Sequence, residues 1–321
     1  MLHAAIIGVG NIAAFIDSPT SPNIASHTKA FHTCPDTKLV ALYEPISKNI
    51  ETFKKIWGNN KITMYDSLKS LLASDIDIVS ITSSTSSHYK ILEYVLHSEI
   101  EYILCEKPLV STLQEFNDIE KKLLSSTKKI QINIIREYID QYHQVKTFIE
   151  SKKLSDMIGF HAVCTKGILH NGIHMLALIE QYAGSIKSIQ NIESYTTHKG
   201  DLAGTFNIKT TESRGTLQIL DNIDFSQFTL DIFFKNGKIS FIDGGDTIII
   251  YEAVESQEFK GYKTLQIEKK YTKLLQNYAL DSLCFLIKEP KEKSKKILEK
   301  HLQLHKKIFI TLERGQYEAS N

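Results

Sequence analysis

The sequence predicts an α/β protein of two domains, in which a doubly wound parallel sheet precedes an α+β domain built on a largely antiparallel open sheet. Three observations support this fold class. The first 125 residues alternate short apolar runs with amphipathic stretches, and a glycine-rich G-x-G-x-x-A turn follows the first apolar run. The second half instead carries a succession of short apolar runs separated by turn residues.

The predicted N-terminal domain covers residues 1–125. Its strand candidates are Leu2–Ile7, Leu39–Tyr43, Ile76–Thr82 and Glu101–Cys105. Its helix candidates are Ile46–Trp57, Asp66–Ala73, Ser86–His97 and Leu113–Leu124, with Asp66 and Ser111 as predicted N-caps. Repeated alternation of strand and helix predicts parallel strands joined by right-handed crossover helices.

The predicted second domain covers residues 126–321. It opens with a strand at Ile130–Ile135 and a helix at Gln141–Ser151. Strand-like runs follow at 158–164, 186–194, 203–210, 215–220, 227–234, 238–242 and 247–252, and helices at 272–288 and 292–313 end the domain. Because Asn236-Gly237 separates two apolar runs, we expect a β-hairpin there.

The glycine turn has the form of a dinucleotide-binding motif. After the first strand candidate the chain reads Gly8-Val9-Gly10-Asn11-Ile12-Ala13. Gly8 permits a tight turn, Gly10 permits close approach of the backbone to a diphosphate, and Ala13 permits close helix packing. The amides at Asn11 and Ile12 then face the diphosphate at the start of the helix.

An acidic residue at the end of the second strand normally binds the ribose of such a nucleotide. Glu44 stands there, and the polar stretch Asp17–Ser26 is interpreted as an insertion that separates it from the glycine turn. A carboxylate repels a 2′-phosphate, which favours NAD over NADP. Lys48 lies near enough to leave NADP as the alternative.

The overall composition argues against several classes of partner. The 321 residues carry a formal net charge of +1, which gives no reason to expect nucleic acid or an anionic membrane surface. Four cysteines without a C-x-x-C pattern predict neither a disulfide framework nor structural zinc, and a reducing cytoplasm is expected. The sequence has no basic leader and no apolar run of about 18 residues. Neither a signal peptide nor a membrane-spanning segment is therefore predicted.

The stretch Glu106-Lys107-Pro108 follows a strand candidate directly. The carboxyl ends of strands line the ligand crevice of a doubly wound sheet. Pro108 biases Lys107 towards an extended backbone. We therefore expect Lys107 at the crevice, where a lysine beside a nicotinamide polarises a substrate oxygen.

The stretch "GILHNGIH" places His170 and His174 four residues apart. On a helix this spacing would suit a zinc hydrolase. However, Asn171 stands where such an enzyme needs a glutamate, Gly172 weakens a helix, and no acidic or cysteine cluster lies nearby. The sequence therefore predicts no metal. The roles that remain for the two histidines are acid/base chemistry, contact with the substrate, or packing in the core without a chemical role.

Taken together, the glycine turn, the E-K-P stretch and the glycine-flanked histidine resemble the glucose–fructose oxidoreductase / inositol dehydrogenase (Gfo/Idh/MocA) family across essentially the whole chain. That family binds NAD(P) and oxidises or reduces hydroxyl and keto groups, mostly on sugars and cyclitols. By resemblance, Lys107 is the catalytic lysine and His174 the catalytic histidine. His170 stands where the family usually has an aspartate, and we include it among the catalytic and substrate-binding candidates.

The resemblance implies further contacts. The cofactor contacts that it adds are Thr82, Ser83, Ser84, His88, Glu106 and Lys107, and the substrate contacts are Lys107, Arg136, Tyr138, His170 and Asn171. The family often has proline where this chain has Ser84. We expect Lys107, at the rim of the sheet, and His174, from the second domain, to converge on one carbinol above the nicotinamide.

The resulting hypothesis is an NAD-dependent oxidoreductase acting on a sugar or sugar derivative, with a nucleotide sugar of surface-polysaccharide biosynthesis as the expected substrate. The alternatives are a non-catalytic NAD-binding sensor or assembly protein and a zinc-dependent hydrolase. An antiparallel sheet with one uncovered face often buries that face between subunits, so a homodimer or homotetramer is expected.

Overall fold

The computed structural model describes residues 1–58, 61–151, 154–198 and 200–319, with the side chains described to residue 315. The chain divides into two compact units. The first comprises Met1–Tyr138 with Gln276–Gln303, and the second Ile139–Leu275 with Leu304–Asn321. This division differs from the predicted domains 1–125 and 126–321, because a polar stretch marks a loop and not necessarily a domain boundary.

The first unit is built on a six-stranded parallel sheet in the order β3-β2-β1-β4-β5-β6. Its strands are β1 (Leu2–Ile7), β2 (Thr37–Tyr43), β3 (Thr63–Tyr65), β4 (Ile78–Ile81), β5 (Tyr102–Cys105) and β6 (Lys129–Ile132). The doubly wound fold is thus confirmed. β6 pairs with β5, so the strand predicted for the second domain belongs to the first unit.

Five helices connect these strands: α1 (His27–Thr33), α2 (Ser47–Trp57), α3 (Leu68–Leu72), α4 (Thr85–Leu96) and α5 (Leu113–Ser125). Both predicted N-caps were wrong by one residue. The side chain of Ser67, not Asp66, caps α3, and that of Thr112, not Ser111, caps α5. The Thr112 hydroxyl accepts from the Glu115 amide while Glu115 accepts from the Ser111 amide, which is the reciprocal arrangement of a capping box.

A segment from the far end of the chain completes the first unit. Helix α8 (Tyr278–Lys288) packs against α1, and Leu283 and Leu286 join Phe31 and Phe53 in the same buried core. The Gln131 amide donates to the Ser282 hydroxyl, over 2.7 Å, and to the Ser282 carbonyl. These apolar and polar contacts are the physical reason that residues 276–303 belong to the first unit.

The second unit is built on an eight-stranded sheet in the order β14-β13-β12-β11-β7-β10-β9-β8. Its strands are β7 (Met157–Thr165), β8 (Ile186–Thr196), β9 (Leu202–Thr210), β10 (Arg214–Leu220), β11 (Phe228–Phe234), β12 (Gly237–Ile242), β13 (Thr247–Glu255) and β14 (Lys263–Tyr271). Only the β7–β10 pair is parallel, so the sheet is largely antiparallel as predicted. β11 and β12 form the predicted hairpin, but its turn is Lys235-Asn236 and not Asn236-Gly237, because Gly237 already pairs with Phe234 as the first residue of β12.

Three helices belong wholly or partly to this unit: α6 (Asp140–Glu150), α7 (Ile173–Ala183) and α9 (Lys291–Ala319), of which α9 contributes residues from 304 onward. α7 was not predicted. All eleven of its residues are buried, so its apolar residues cover every face and leave no helical period to read. Among the described residues no helix is long and apolar enough to cross a membrane, and the four cysteines are free thiols.

A buried ionic cluster lies on the short helical turn after β6. Glu137 is 7 % exposed, and its carboxylate accepts from Lys300 Nζ over 2.9 Å and lies 3.9 Å from His301 Nε2. Burial alone would raise the pKa of Glu137, but the contact with His301 and the charge of Lys300 outweigh it and lower the pKa to about 2. Glu137 is therefore ionised inside the first unit.

We predict that Glu137→Gln destabilises the protein by about 3 kcal/mol, because it leaves a partly buried ammonium without its counter-charge. Since the folded pKa lies below the ordinary 4.5, this stabilisation is present above pH 4.5 and is lost as pH falls towards 2. Urea unfolding at pH 7 and pH 4 measures both effects. The control is Glu255→Gln, because Glu255 and Lys263 form a pair that is 71 % and 63 % exposed and is worth about 0–1 kcal/mol. Equal losses in the two variants would contradict the prediction.

Candidate active site

The glycine turn lies directly after β1 and packs on the loop that follows β4. Gly8 has φ +89°, and a Cβ there would lie 2.4 Å from the Ser83 Cα, so only glycine fits. A Cβ on Gly10 would have no heavy atom within 4 Å. Gly8 therefore serves the fold of the turn, whereas the space beside Gly10 is open to a ligand.

The side chain of Glu44 hydrogen-bonds to the same glycine turn. The Val9 amide donates to Glu44 Oε2 over 2.6 Å, and the Ile46 amide donates to Oε1 over 2.9 Å. The Thr82 hydroxyl donates to the Gly8 carbonyl over 2.7 Å from the other side of β1. The structure thus brings together Glu44, the turn and Thr82 at the carboxyl ends of β1, β2 and β4.

The helix predicted after the turn is interrupted. Only Asn11–Phe15 forms a helical turn, and α1 begins at His27 after an ordered loop. Asp17 Oδ2 accepts from the amides of Ala25 and Ser26 over 2.8 Å, and Lys29 Nζ donates to the carbonyls of two serines in the loop. The inserted stretch that separates Glu44 from the glycine turn is therefore held by two charged side chains.

The first turn of α4 carries a structural histidine that contacts the loop before the helix. His88 is 1 % exposed, and its ring nitrogens lie 3.0 Å from the carbonyls of Ser83 and Pro108. Burial lowers the pKa of His88, which favours the neutral ring. Its side chain therefore connects this loop to the E-K-P stretch. Ser83 accepts from the Ser87 hydroxyl, and Ser84 is the exposed residue that precedes α4.

The E-K-P stretch follows β5. Glu106 is 8 % exposed and accepts from His27 Nε2 over 3.0 Å and from the Asn133 amide. Burial opposes its ionisation, but the hydrogen bond and charge of His27, with the Asn133 bond and the charge of Lys107, lower its pKa. Lys107 is half-buried at the carboxyl end of the strand, and its bond to Pro108 is cis. The Glu106 carboxylate thus faces its buried partners, which argues against the predicted cofactor contact.

Arg136 and Tyr138 lie on the turn Ile135–Tyr138 after β6, and both are buried. The Tyr138 hydroxyl donates to the Ile132 carbonyl over 2.6 Å, and its ring centroid lies 4.9 Å from that of Phe285. Tyr138 is thereby committed to packing within the first unit, which argues against the predicted substrate contact. The substrate contact predicted for Arg136 stays a prediction.

In the second unit, the stretch Gly167–His174 forms a helical turn followed by the start of α7. His170 is exposed and Asn171 half-buried on the turn Ile168–Gly172, whereas His174 is 7 % exposed in the first turn of α7. The two histidines therefore have different environments despite their spacing. Across the described residues no group of three potential metal ligands is found.

An aspartate that sequence reasoning missed anchors this stretch. Asp201 accepts from the amides of Leu169, His170 and Leu202 over 3.1, 2.9 and 2.8 Å. A Cβ on Gly167 would lie 2.2 Å from Asp201 Oδ2, so glycine admits the carboxylate. Burial raises the pKa of Asp201 although these bonds oppose it. Nothing in the local sequence links residues 170 and 201, so only the fold reveals this carboxylate.

Comparison with known proteins agrees with this geometry. Residues 2–134 match the model of the Gfo/Idh/MocA oxidoreductase family, NAD-binding Rossmann fold. The first part of the chain is therefore similar to the NAD-binding domain of this oxidoreductase family. The resemblance inferred from the glycine turn, the E-K-P stretch and the downstream histidine is thereby confirmed, and so is the fold class.

Among curated members of the Gfo/Idh/MocA family, inositol 2-dehydrogenase of Salmonella typhimurium is 30 % identical over 88 residues. The match covers 27 % of this chain and spans about a quarter, 26 %, of that relative. It therefore supports a common family without fixing the activity of the whole protein.

Solved structures show the same fold over the whole chain. A Gfo/Idh/MocA family oxidoreductase from Vibrio cholerae has a TM-score of 0.72 at 15 % identity and covers 100 % of both chains. KijD10, a 3-ketoreductase from Actinomadura kijaniata solved with TDP-benzene and NADP, has a TM-score of 0.71 at 14 % identity, and the match covers 96 % of this chain and 95 % of KijD10. An Agrobacterium radiobacter oxidoreductase in complex with NAD+, L-tartaric acid and magnesium has a TM-score of 0.69 at 13 % identity, and the match covers 100 % of this chain and 96 % of that protein.

We predict that an alanine substitution at Gly8 lowers the stability of the fold, whereas one at Gly10 weakens nucleotide binding. Gly8→Ala destabilises the fold by about 2 kcal/mol or more, because the new methyl meets backbone at a positive φ. Gly10→Ala keeps or slightly raises the melting temperature, since φ is −115° and the space is open, but it weakens nucleotide binding. Thermal melts and NAD titrations test both variants. Unchanged NAD affinity in Gly10→Ala would refute the assignment of the turn.

Proposed function

We propose that the protein transfers a hydride reversibly between NAD and a hydroxyl or keto carbon of a sugar or sugar derivative. The observation that carries this proposal is the position of Lys107 at the carboxyl end of β5, on the same sheet edge as the Glu44-bound glycine turn. Ligands of open α/β sheets bind at that edge. The similarity of residues 2–134 to an oxidoreductase family supports the same proposal.

The proposal of NAD rather than NADP rests on Glu44. Its carboxylate already accepts from the Val9 amide in the turn, beside the place where a ribose would follow the diphosphate. A 2′-phosphate there would meet a like charge. Solved relatives have been captured with NAD+ and with NADP, so the choice depends on this chain's own residues.

The residues of the glycine turn fit a dinucleotide, because the Gly10 side is open and the helical turn Asn11–Phe15 begins beside it. When bound, NAD supplies the hydride acceptor, and the protein supplies binding and orientation. Glu44 would bind the ribose hydroxyls. Ser83, Ser84 and Thr82 would border the nucleotide along the loop before α4.

The proposed proton chemistry uses two side chains. His174 accepts the proton of the substrate hydroxyl during oxidation and returns it during reduction, as histidines titrate near neutral pH. Lys107 donates a hydrogen bond to the same oxygen and stabilises its negative charge. A positioned acid/base group contributes about 10²–10⁴-fold to the rate. Asp201 would act indirectly, by holding the backbone of the turn that precedes His174.

The proposed substrate is a polyhydroxylated ring. The relatives include an inositol 2-dehydrogenase and a 3-ketoreductase, and the latter was solved with TDP-benzene. We therefore extend the proposal to a nucleotide sugar, of the kind used in surface polysaccharides. His170 and Asn171, on the turn before α7, would contact its hydroxyls, with Arg136 as a further contact. A homodimer or homotetramer is proposed because large apolar side chains are exposed on strands of the second sheet, namely Ile158, Ile192, Tyr195 and Phe233.

We predict that Lys107→Ala and His174→Ala each lower turnover by about 10²–10⁴-fold. Both should bind NAD with wild-type affinity, because neither residue belongs to the glycine turn. The assay follows NADH absorbance with a panel of sugars, cyclitols and nucleotide sugars, and compares NAD with NADP.

Two exposed residues provide matched controls, Lys121→Ala on α5 and His161→Ala on β7. Both should retain turnover and NAD affinity. Normal turnover in Lys107→Ala and His174→Ala would defeat the proposal. Bound NAD without turnover on the whole panel would instead favour a non-catalytic sensor or assembly protein.

A further inference from the structure

A chain of buried polar side chains, the Glu106 network, runs beneath the carboxyl ends of β4, β5 and β6. Ser80 Oγ lies 2.6 Å from His27 Nδ1, and His27 Nε2 lies 3.0 Å from Glu106 Oε1. The Asn133 amide donates to the same Oε1, and the Ser282 hydroxyl donates to Asn133 Oδ1 over 2.6 Å. All five side chains belong to residues at most 8 % exposed.

The hydrogen bonds of this network converge on one negative charge. An ionised carboxylate only accepts, so His27 donates to it through Nε2. The contact between Nδ1 and the Ser80 hydroxyl holds the ring in place, because a hydroxyl can either donate to Nδ1 or accept from it. On the other side, Asn133 donates to Glu106 and accepts from Ser282. His27 and Asn133 thus both donate to Glu106, and a buried carboxylate with such donors stays ionised.

The order Ser80–His27–Glu106 is that of a nucleophilic triad, but the network cannot act as one. Ser80 is 0 % exposed and lies within β4, so no substrate carbonyl reaches its hydroxyl. The network therefore has another task. Lys107, a residue of the proposed reaction, directly follows Glu106 in the chain, and its charge acts on Glu106.

We propose that the Glu106 network supplies the fixed negative charge that keeps Lys107 protonated while it holds the substrate oxygen. This inference rests on the proposed function. Half-buried at the sheet edge, a lysine tends to lose its proton through desolvation, and beside an oxidised nicotinamide it also meets a positive ring. An adjacent ionised carboxylate opposes both effects.

In this account Glu106 is a positioning residue that acts through Lys107, and His27 and Asn133 act through Glu106. Other titratable side chains also sense the charge of Glu106, so they must be considered in any pH profile. Besides His27 and Lys107 they are His88, Cys105, Tyr138 and Tyr278. Burial lowers the pKa of His88 and raises that of Cys105, Tyr138 and Tyr278, so these groups stay neutral in the working range.

The decisive experiment is the pH profile of kcat/KM for the full chain from pH 6 to pH 11. Glu106→Gln is nearly isosteric and removes only the charge. We expect its high-pH limb to move down by about one to two pH units, because the ammonium loses its proton more easily without the anion. The NAD dissociation constant should stay within about twofold, since the glycine turn is unchanged.

Two variants separate charge from structure. Glu106→Asp keeps the charge, so its limb should stay at the wild-type pH even if kcat falls. Ser282→Ala removes the hydrogen bond to Asn133 at the other end of the network. It should lower the melting temperature without shifting the high-pH limb of kcat/KM. An unmoved limb in a folded Glu106→Gln, or equal shifts in Glu106→Gln and Ser282→Ala, would overturn the inference.

Should Glu106→Gln fail to fold, the rate at which acetic anhydride labels Lys107 in the wild-type protein, followed against pH by mass spectrometry, tests the same idea. The amine of Lys107 should lose its proton at a pH no lower than that of the exposed Lys121. A Lys107 amine that reacts at a clearly lower pH than Lys121 would overturn the inference. If the wild type turns over and Lys107→Ala is inactive, such a result refutes only the role of Glu106, whereas full activity in Lys107→Ala refutes the proposed function itself.

Discussion

The hydrogen bonds that His27 and Asn133 donate to the buried carboxylate of Glu106 connect three parts of the first unit. His27 is the first residue of α1, Asn133 follows β6, and Ser282 on α8 closes the chain of bonds. An ionised carboxylate at this depth needs all of its partners, because an unpaired one costs several kcal/mol. The return of residues 276–303 to the parallel sheet is therefore a requirement of the polar interior as well as of the apolar core.

Carboxylates fix the backbone at both other places that the proposed chemistry needs. Glu44 accepts from the Val9 amide and so shapes the glycine turn, and Asp201 accepts from the amides of Leu169 and His170 and so shapes the turn before His174. Charge-assisted bonds to amides are short and strong, which suits loops that must hold one conformation. Each turn also contains a glycine where a side chain would clash: Gly8 leaves room for the Ser83 backbone, and Gly167 leaves room for the Asp201 carboxylate.

The sequence allowed prediction of those features that depend on local chemistry. The β11–β12 hairpin, the glycine turn and the position of Glu44 after β2 were predicted from turn residues and from strand order. The turn of the hairpin is nevertheless one residue earlier than predicted, at Lys235-Asn236. The features that were missed depend on distant or atypical residues. Helix α7 is buried on all sides, β14 is largely exposed and charged, and Asp201 meets His170 across 31 residues. The two compact units also differ from the predicted domains, since only tertiary packing returns α8 to the first unit.

Transfer of isotope label tests the central claim most directly. The wild-type protein would be incubated with NAD and a panel of cyclitols, sugars and nucleotide sugars deuterated at their carbinol carbons. The account predicts that deuterium appears at C4 of the nicotinamide with at least one of them, as detected by mass spectrometry of the recovered NADH. Tight binding of NAD with no deuterium transferred from any of these compounds would contradict it.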